Sequence, residues 1–492
     1  MAHIIVVGAG SAGCVVAARL SESGEHRVTL LESGPDLFGA ETTERLASLN
    51  WLEALKATDA FATGLMATRL QHDEPRDYQR GRGVGGSGLV NAMLALPGLP
   101  ADYDSWAADY GLDEWTWSTV EPWFARLKRD VVASSTEQYT PIDRAVVAAA
   151  EAFGLPTDVD TYGPQDGGGA LWRHADEQSR RSSREGYLAA ARERAQLLIR
   201  PDSEVRRIVM DGDRATGVVL TDGTILEADE VVLCAGTIET PAVLLRTGID
   251  RRGIGRGLQD HPAASVYLRL KPAYRAFEDH QPCIGSVLRL SSSDGEGDLH
   301  FLPLHGQLGP TEPETHGVLM AALMRVTSRG EVRLDPRDPD GPPVTAENML
   351  STPEDRRAMR EAIDVLRRLV RTGPFAEILE SVYIDPEGTP LSALDDDAAY
   401  EAWLDRSVGD YFHAVGTARM GREDDDDAVV DQRGRVLGVR GLRVIDASII
   451  PDVPRANTHL PTVMVAERLS AALLDDLAAR TTTEGAQHAA AQ

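Results

Sequence analysis

The chain begins with the stretch that decides its fold, Ile4-Ile5-Val6-Val7-Gly8-Ala9-Gly10-Ser11-Ala12-Gly13. The apolar residues predict a short buried strand, the glycines a tight turn, and residues 12–21 a helix. A second apolar strand, residues 28–31, ends at Glu32. This order of strand, glycine turn, helix, strand and acid is typical of a dinucleotide-binding α/β unit.

Each part of this pattern has a physical role. Gly8 permits the turn, Gly10 lets backbone N–H groups approach a pyrophosphate, and Gly13 lets the helix pack closely on the strand. The helix N-terminus presents its positive end to the phosphates. Glu32 can accept hydrogen bonds from both ribose hydroxyls, and its charge would repel a 2′-phosphate, so NADP is disfavoured. The motif by itself leaves NAD and FAD open.

Composition excludes several classes of protein. The formal net charge of −27 argues against nucleic acid or an anionic membrane as a partner, because both require a basic face. No run of residues approaches the roughly 20 apolar positions of a membrane span. The first apolar run is already the cofactor strand, so we expect no signal peptide and a cytoplasmic protein. Cys14, Cys234 and Cys283 are far apart in the chain, which predicts neither a disulfide framework nor a metal site.

The rest of the chain predicts an α/β fold with an inserted domain. Residues 230–246 form a second strand–glycine–helix unit that returns to the first sheet. Short alternating segments over residues 263–333 predict a mostly antiparallel sheet, and residues 353–372 an amphipathic helix. The predicted boundaries are 1–135, 180–262 and 426–480 for a discontinuous Rossmann-like domain, 136–179 and 263–425 for an inserted α+β substrate domain, and 481–492 for a disordered tail.

A second glycine-rich stretch reads Arg80-Gly81-Arg82-Gly83-Val84-Gly85-Gly86-Ser87-Gly88-Leu89-Val90-Asn91. Such glycine density is costly in backbone entropy. We therefore expect this stretch to pack closely against a flat or tightly turned surface, and not to act as a flexible linker.

Further motifs follow in a fixed order. They are Asp102-Tyr103-Asp104-Ser105-Trp106, residues 235–249, Gly257-Leu258-Gln259-Asp260-His261-Pro262, His413-Ala414-Val415-Gly416-Thr417, and residues 442–451 with 457–467. Together with the two glycine-rich stretches, they resemble the glucose–methanol–choline family of flavoprotein oxidoreductases over nearly the whole chain. The resemblance implies oxidation of a small-molecule alcohol to a carbonyl, with FAD as the cofactor.

The resemblance also implies which residues bind FAD. The ADP half, the flavin and the linking groups would be held by Gly8, Gly10, Ser11, Ala12, Gly13, Glu32, Arg82, Gly85, Gly86, Ser87, Asn91, Ala92, Val205, Ala235, Asp446, Ala447, His459 and Thr462. Some relatives attach FAD to a histidine one position before the asparagine that matches Asn91. Here that position is Val90, which has no nucleophile, so we expect non-covalent FAD.

Two histidines are the candidate catalytic pair. The resemblance implies that His413 is the general base and that a second residue near the last helix orients the substrate oxygen. Counting back from Thr462 assigns this second role to His459, although Asn457 lies only two positions earlier. His261, in the motif before Pro262, is expected to be structural.

The resemblance leaves several points open. The electron acceptor could be oxygen, a quinone or a redox carrier of the mycofactocin type, and the protein could be a monomer or a homodimer. The same family contains hydroxynitrile lyases, which keep FAD but do no redox chemistry, so a lyase is the alternative function. A non-catalytic flavin-binding module is the third possibility, against which the two histidines argue.

Overall fold

The computed structural model describes residues 1–39, 42–278, 281–307 and 309–490, and for 481–490 the backbone alone. Residues fold into α-helices at Ser11–Leu20, Thr43–Ala47, Trp51–Ala54, Pro100–Tyr110, Trp117–Leu127, Pro141–Ala149, Ala189–Ala191, Gly236–Thr247, Pro353–Leu369, Gly373–Ile378, Asp397–Ser407 and His459–Ala490. The strands form two large sheets and three smaller ones.

One large sheet is entirely parallel. Its strands, in spatial order, are Leu442–Val444, Glu230–Leu233, His3–Val7, Arg27–Leu31 and Leu197–Arg200. Val7 pairs with both Leu31 and Leu233, so the chain leaves three strands at the same edge. Gly8 and Glu32 follow two of these strands and therefore lie at the carboxyl edge, where open α/β sheets bind their ligands.

Two helices cover this sheet with one shared core. Helix Ser11–Leu20 buries nearly all of its side chains, and helix His459–Ala490 contributes apolar residues to the same cluster as the strands. Arg19 Nη2 also donates a hydrogen bond of 2.8 Å to Glu467 Oε1 between the two helices. This packing fixes the first helix, and therefore its N-terminus, against the sheet.

The other large sheet is antiparallel. Its strands, in spatial order, are Leu379–Tyr383, Pro262–Leu270, Gly317–Leu323, Leu299–His305, Ser286–Leu290 and Gly167–Ala170, with Gly409–Asp410 paired to the start of the second. Helix Pro353–Leu369 packs on this sheet through one apolar face. The predicted α/β fold, with a parallel sheet and an antiparallel substrate-domain sheet, is confirmed.

The three smaller sheets connect distant parts of the chain. They contain Val205–Asp211, Arg214–Leu220 and Ile225–Glu227; Arg256–Leu258, Gly330–Arg333, Val344–Ala346, Met66–Thr68 and Arg76–Asp77; and Val132–Ala133 with Trp172–Arg173. The second of these sheets takes strands from both sides of the predicted boundary at residue 262. The domain boundaries stay a prediction.

The end of the last helix differs from the sequence prediction. The predicted helix stops by residue 479 and is followed by a disordered tail, but the helix continues to Ala490. The local propensity is mixed, because residues 481–490 include Glu, Gln and three Ala, which favour helix, but also three Thr and one Gly, which do not. Residues 491 and 492 lie outside the described residues. Neither this helix nor any other in the described part of the chain is apolar over enough length to cross a lipid bilayer.

Candidate active site

The first glycine turn leaves open space only at its centre. A Cβ atom added to Gly8, which has a φ of +95°, would lie 2.6 Å from the Cys234 carbonyl oxygen, and one added to Gly13 would lie 1.8 Å from the Gly8 oxygen. A Cβ atom on Gly10 would meet nothing within 4 Å. No side chain caps helix Ser11–Leu20. The turn therefore offers free N–H groups and room for a ligand.

Glu32 ties this turn to its surroundings. Its Oε2 accepts a hydrogen bond of 2.8 Å from the Ala9 N–H, and its Oε1 accepts from the Gly34 and Gly83 N–H groups at 2.9 and 3.0 Å. A carboxylate oxygen can accept two hydrogen bonds. Oε2 therefore keeps one acceptor site for a ligand hydroxyl.

The second glycine-rich stretch lies directly on the first turn, as predicted. The Gly85 N–H donates to the Ala9 carbonyl at 2.7 Å. A Cβ atom on Gly86, whose φ is +54°, would be 2.7 Å from the Gly10 Cα. Only glycine permits this approach, because any side chain at Gly86 would collide with backbone.

A buried arginine adjoins this stretch. Arg180 Nη1 donates to the Asn91 side-chain oxygen at 2.7 Å and to the Gly88 carbonyl at 3.2 Å. Its Nη2 is buried and has no hydrogen-bond partner among the described residues. Burial lowers the pKa of Arg180 to about 10. The guanidinium therefore stays charged at neutral pH and retains a donor for a further acceptor.

Asp446 is engaged by the protein itself. Its Oδ2 accepts from the Gly236 N–H at 2.8 Å and from the Thr240 hydroxyl at 2.6 Å, and its Oδ1 accepts from the Ser448 N–H at 2.8 Å. Burial raises the pKa of Asp446, and these hydrogen bonds act against that rise. The side chain thus joins the second strand–glycine–helix unit to the strand before Asp446.

The other predicted cofactor residues belong to several elements. Arg82 Nη2 donates to the Ser33 carbonyl at 2.6 Å, and the Thr462 hydroxyl donates to the Thr458 carbonyl at 2.7 Å. Ala12 lies in the first turn of the first helix, Ala235 caps helix Gly236–Thr247, Ala447 follows Asp446, Ala92 follows Asn91, and Val205 begins a strand of the three-stranded sheet.

His459 contacts the first helix and His174. Its Nδ1 lies 2.9 Å from the Ser11 hydroxyl, and its ring meets the His174 ring edge-on with the centroids 4.4 Å apart. Burial lowers the pKa of His459 to about 4, and the charge of Arg180 acts in the same direction. Both predicted roles of His459, in cofactor binding and as the partner of His413, stay predictions; the contacts observed are with Ser11 and His174.

Asn457 occupies the position that the sequence assigned to His459. Its Nδ2 lies 3.3 Å from His413 Nε2. The two residues diverge because Asn457 precedes the helix and His459 is its first residue. His413 is buried, and burial lowers its pKa well below the usual value, with the charge of Arg80 acting in the same direction.

The segment Asn457-Thr458-His459 bridges His413 and the glycine turn. One of its ends contacts His413 and the other contacts Ser11. Two residue steps span at most about 7 Å of extended chain. These contacts link His413 to the first helix through three consecutive residues. The Thr237 hydroxyl, which donates to the Ala414 carbonyl at 2.7 Å, links the segment of His413 to helix Gly236–Thr247.

His413 has polar neighbours on its other side. Its Nδ1 lies 2.9 Å from His261 Nδ1. Asp260 Oδ1 accepts hydrogen bonds from the backbone N–H groups of His413, at 2.8 Å, and of His261, at 2.7 Å. One ligand atom from each of these three residues lies within 4.8 Å of the others, a spacing that could suit a metal ion. The two Nδ1 atoms already face each other at hydrogen-bond distance, which favours a hydrogen-bonded cluster.

Family models match this chain over most of its length. The two GMC oxidoreductase models cover residues 2–263 and 326–466. The chain belongs to the GMC oxidoreductase family.

Individual relatives of this GMC oxidoreductase act on different alcohols. It is 35% identical to 5-(hydroxymethyl)furfural oxidase of Methylovorus sp. strain MP688, over 96% of this chain and 98% of that protein. It is 33% identical to oxygen-dependent choline dehydrogenase of Stenotrophomonas maltophilia strain K279a, over 95% and 93%. The crystal structure of pyridoxine 4-oxidase from Mesorbium loti superposes with a TM-score of 0.83 at 26% identity, over 96% and 98%. The chain is thus an FAD-dependent oxidoreductase acting on CH–OH groups.

The described residues fit FAD. The open space at Gly10, the uncapped N–H groups of the first helix, and the free Nη2 of Arg180 suit an anionic, acceptor-rich ligand. Glu32 retains an acceptor site for a ribose hydroxyl. When bound, FAD accepts the two electrons that leave the alcohol carbon.

Three residues of this site were not predicted as functional. The sequence favours His459 over Asn457 as the partner of His413, indicates only a structural role for His261, and gives no indication of Arg180. The spacing between His413 and Asn457 gave no signal by itself, because an irregular segment does not reveal which side chain faces inward. Arg180 is recognisable only from its burial without a carboxylate partner.

Proposed function

We propose that this GMC oxidoreductase oxidises a small alcohol to a carbonyl, with His413 as the general base and Asn457 as the hydrogen-bond partner of the substrate oxygen. The observation that carries the proposal is the segment Asn457-Thr458-His459, which joins His413 to the glycine turn. The base therefore adjoins the space that fits the cofactor.

The energetics require His413 to act while the C–H bond breaks. Imidazole has an ordinary pKa near 6.5, and a water-like hydroxyl has one near 15.7. The gap of about nine pKa units corresponds to roughly 12 kcal/mol. A free alkoxide would not accumulate, so His413 Nε2 accepts the hydroxyl proton as the electron pair leaves the carbon. Because burial keeps His413 neutral before the reaction, the base is ready at neutral pH.

Asn457 supplies a donor at the same point. Its Nδ2 now faces His413 Nε2 at 3.3 Å, a long hydrogen bond that a substrate oxygen can replace. An amide donor aimed at an oxygen that gains negative charge stabilises the transition state more than the ground state.

We expect alanine at position 457 and alanine at position 459 to have different effects. Asn457→Ala removes one donor from the substrate oxygen, which costs roughly 10²-fold in turnover by comparison with other donors of this kind. His459→Ala should weaken FAD retention while the protein that still holds FAD reacts at a rate much closer to the parent. Turnover per bound flavin and the FAD dissociation constant separate the two. A large loss of turnover in His459→Ala with a small loss in Asn457→Ala would instead support His459 as the partner of His413.

We expect the rate of flavin reduction to depend on pH through Asp260. Burial raises the pKa of Asp260 to about 7, and the Asp410 carboxylate acts in the same direction while Arg80 opposes it. Above that pH the ionised carboxylate stabilises the positive charge that His413 acquires, and below it this help is lost. The rate of flavin reduction should therefore fall as the pH drops through about 7.

Asp260→Asn is the matched variant for this pH effect. It keeps an oxygen to accept the N–H groups of His261 and His413 but carries no charge. It should be slow at every pH and should lack the step near neutrality. A step that persists in Asp260→Asn would assign the titration to another group.

We also propose that FAD is bound non-covalently and that oxygen accepts the electrons. Val90 is apolar and packs in a small core with Leu37 and Leu89, so no nucleophile is available at that position. Relatives named as oxidases and as oxygen-dependent support the second point. Acid precipitation should release the yellow cofactor into the supernatant, and oxygen consumption should match carbonyl formation.

The test of the proposed function is an anaerobic screen of alcohols against the purified yellow protein. A substrate bleaches the flavin absorbance, and admission of air restores it. Cyanohydrin cleavage without bleaching would indicate a lyase. Failure of aliphatic, aromatic and furanic alcohols alike would contradict the proposal.

A further inference from the structure

His261 and His413 share one hydrogen bond between identical atoms. Their Nδ1 atoms are 2.9 Å apart, and the rings are nearly perpendicular, at 89°. Both residues are buried, and the backbone of each donates to Asp260. The arrangement is fixed by the backbone on both sides.

A contact of this kind needs one donor and one acceptor. Burial lowers the pKa of His261 to about 3 and that of His413 well below its usual value, so both rings are neutral at ordinary pH. A neutral imidazole carries a proton on one nitrogen only. One of the two Nδ1 atoms therefore holds a proton, and the other accepts it in the hydrogen bond.

The contact between His413 and Asn457 decides which of the two Nδ1 atoms donates in this hydrogen bond. The Asn457 nitrogen is a donor only, so the His413 Nε2 that faces it is the acceptor and carries no proton. The proton of His413 is then on Nδ1. On the far side, His261 Nε2 is buried and has no hydrogen-bond partner among the described residues, so the contact with Asn457 alone sets the direction. With its Nδ1 facing His413, His261 carries its proton on Nε2.

We propose that His261 is a positioning residue, which holds His413 in the tautomer with its proton on Nδ1 and leaves Nε2 free as the base. This inference rests on the proposed function, because it concerns the same base. In the reaction the substrate O–H bond breaks and a new N–H bond forms at His413 Nε2. The Nδ1–H bond stays intact, and His261 neither gains nor loses a proton. The hydrogen of the C–H bond leaves together with both electrons of that bond, and the cofactor would accept them when bound.

Two substitutions whose side chains have the same number of heavy atoms and the same branch point at Cγ test this role. His261→Asn can place an oxygen where Nδ1 stands and continue to accept from His413, whereas His261→Leu cannot. Leu fills the space of His261 at least as well as Asn does, so a larger loss of rate in His261→Leu would not come from a cavity. Loss of an orienting partner costs up to about 10⁴-fold where that partner is charged. For a neutral partner we expect about 10–100-fold lower kcat in His261→Leu, with KM and FAD content close to the parent.

The comparison separates tautomer control from a structural role. His261→Asn should recover to within a few-fold of the parent rate, because it restores the acceptor. Equal loss in both variants, with equal falls in thermal midpoint, would overturn the inference and assign His261 to packing. Parent-like rates in His261→Leu would overturn it as well.

A measurement on the unaltered enzyme covers the case in which neither variant folds. Nitrogen-15 NMR of histidine-labelled holoenzyme distinguishes a bare ring nitrogen from a protonated one, and His413→Ala identifies the signals of His413. The expected result is a bare Nε2 and a protonated Nδ1. The opposite tautomer would refute the inference. Failure of the proposed function looks different, because no alcohol would then reduce the flavin of the parent enzyme.

Discussion

His413→Ala should remain yellow but should no longer be bleached by any alcohol that bleaches the parent enzyme. A positioned general base contributes roughly 10²–10⁴-fold to a rate. We expect a loss toward the upper part of that range, because the hydroxyl of an alcohol is so weak an acid. FAD should stay bound, because the contacts that fit the cofactor come from the glycine turns, Glu32 and Arg180.

Anaerobic stopped-flow reduction and FAD content measure the two effects separately. His72→Ala is a suitable control, because His72 is an exposed histidine whereas His413 is buried. It should behave as the parent does. Reduction of His413→Ala at a near-normal rate would refute the assigned base, and a colourless but folded His413→Ala would move the residue into the cofactor site.

Gly10→Ala should give a folded protein that binds FAD poorly. A Cβ atom at Gly10 meets nothing within 4 Å, and the φ of −78° is acceptable to alanine, so the apoprotein should be no less stable than the parent. The methyl group enters the space that fits the pyrophosphate. Loss of one hydrogen bond to a charged group costs about 1.5–3 kcal/mol, which corresponds to roughly 10–100-fold in FAD affinity.

Gly13→Ala is the matched comparison. Its Cβ would lie 1.8 Å from the Gly8 carbonyl oxygen, within the contact of the first helix on its strand. Such overpacking costs about 3 kcal/mol or more in stability. Thermal midpoints of the apoproteins and FAD titration should therefore separate the two glycines. Equal stability of both variants would show that the helix can move away, and unchanged FAD affinity in Gly10→Ala would place the cofactor elsewhere.

Local features of the chain were predictable. The parallel sheet, the first helix and the close approach of the second glycine stretch follow from contiguous residues, because turn, strand and helix signals act over a few positions. The position of Glu32 at the sheet edge follows in the same way. Its hydrogen bond from the Gly83 N–H could not be predicted, since Gly83 lies 51 residues away.

The sequence could not show by counting which residue faces His413. Asn457 and His459 are two positions apart at the junction of an irregular segment and a helix, where successive side chains turn to different sides. Which of them meets His413 depends on how that segment lies against residues more than 40 positions earlier. The mixed sheet that joins strands from both predicted domains has the same origin, because its pairings are non-local.

The sequence by itself indicated a dinucleotide-binding edge and an antiparallel second sheet, and the family resemblance pointed to His413 as the proposed base. The tertiary structure alone decided that Asn457 faces His413, that His261 and Asp260 contact it, and that Arg180 is buried beside the second glycine-rich stretch. The physical reason is distance along the chain. Backbone geometry is set by neighbouring residues, whereas the charge, burial and hydrogen bonds of an active site come from segments that only folding brings together.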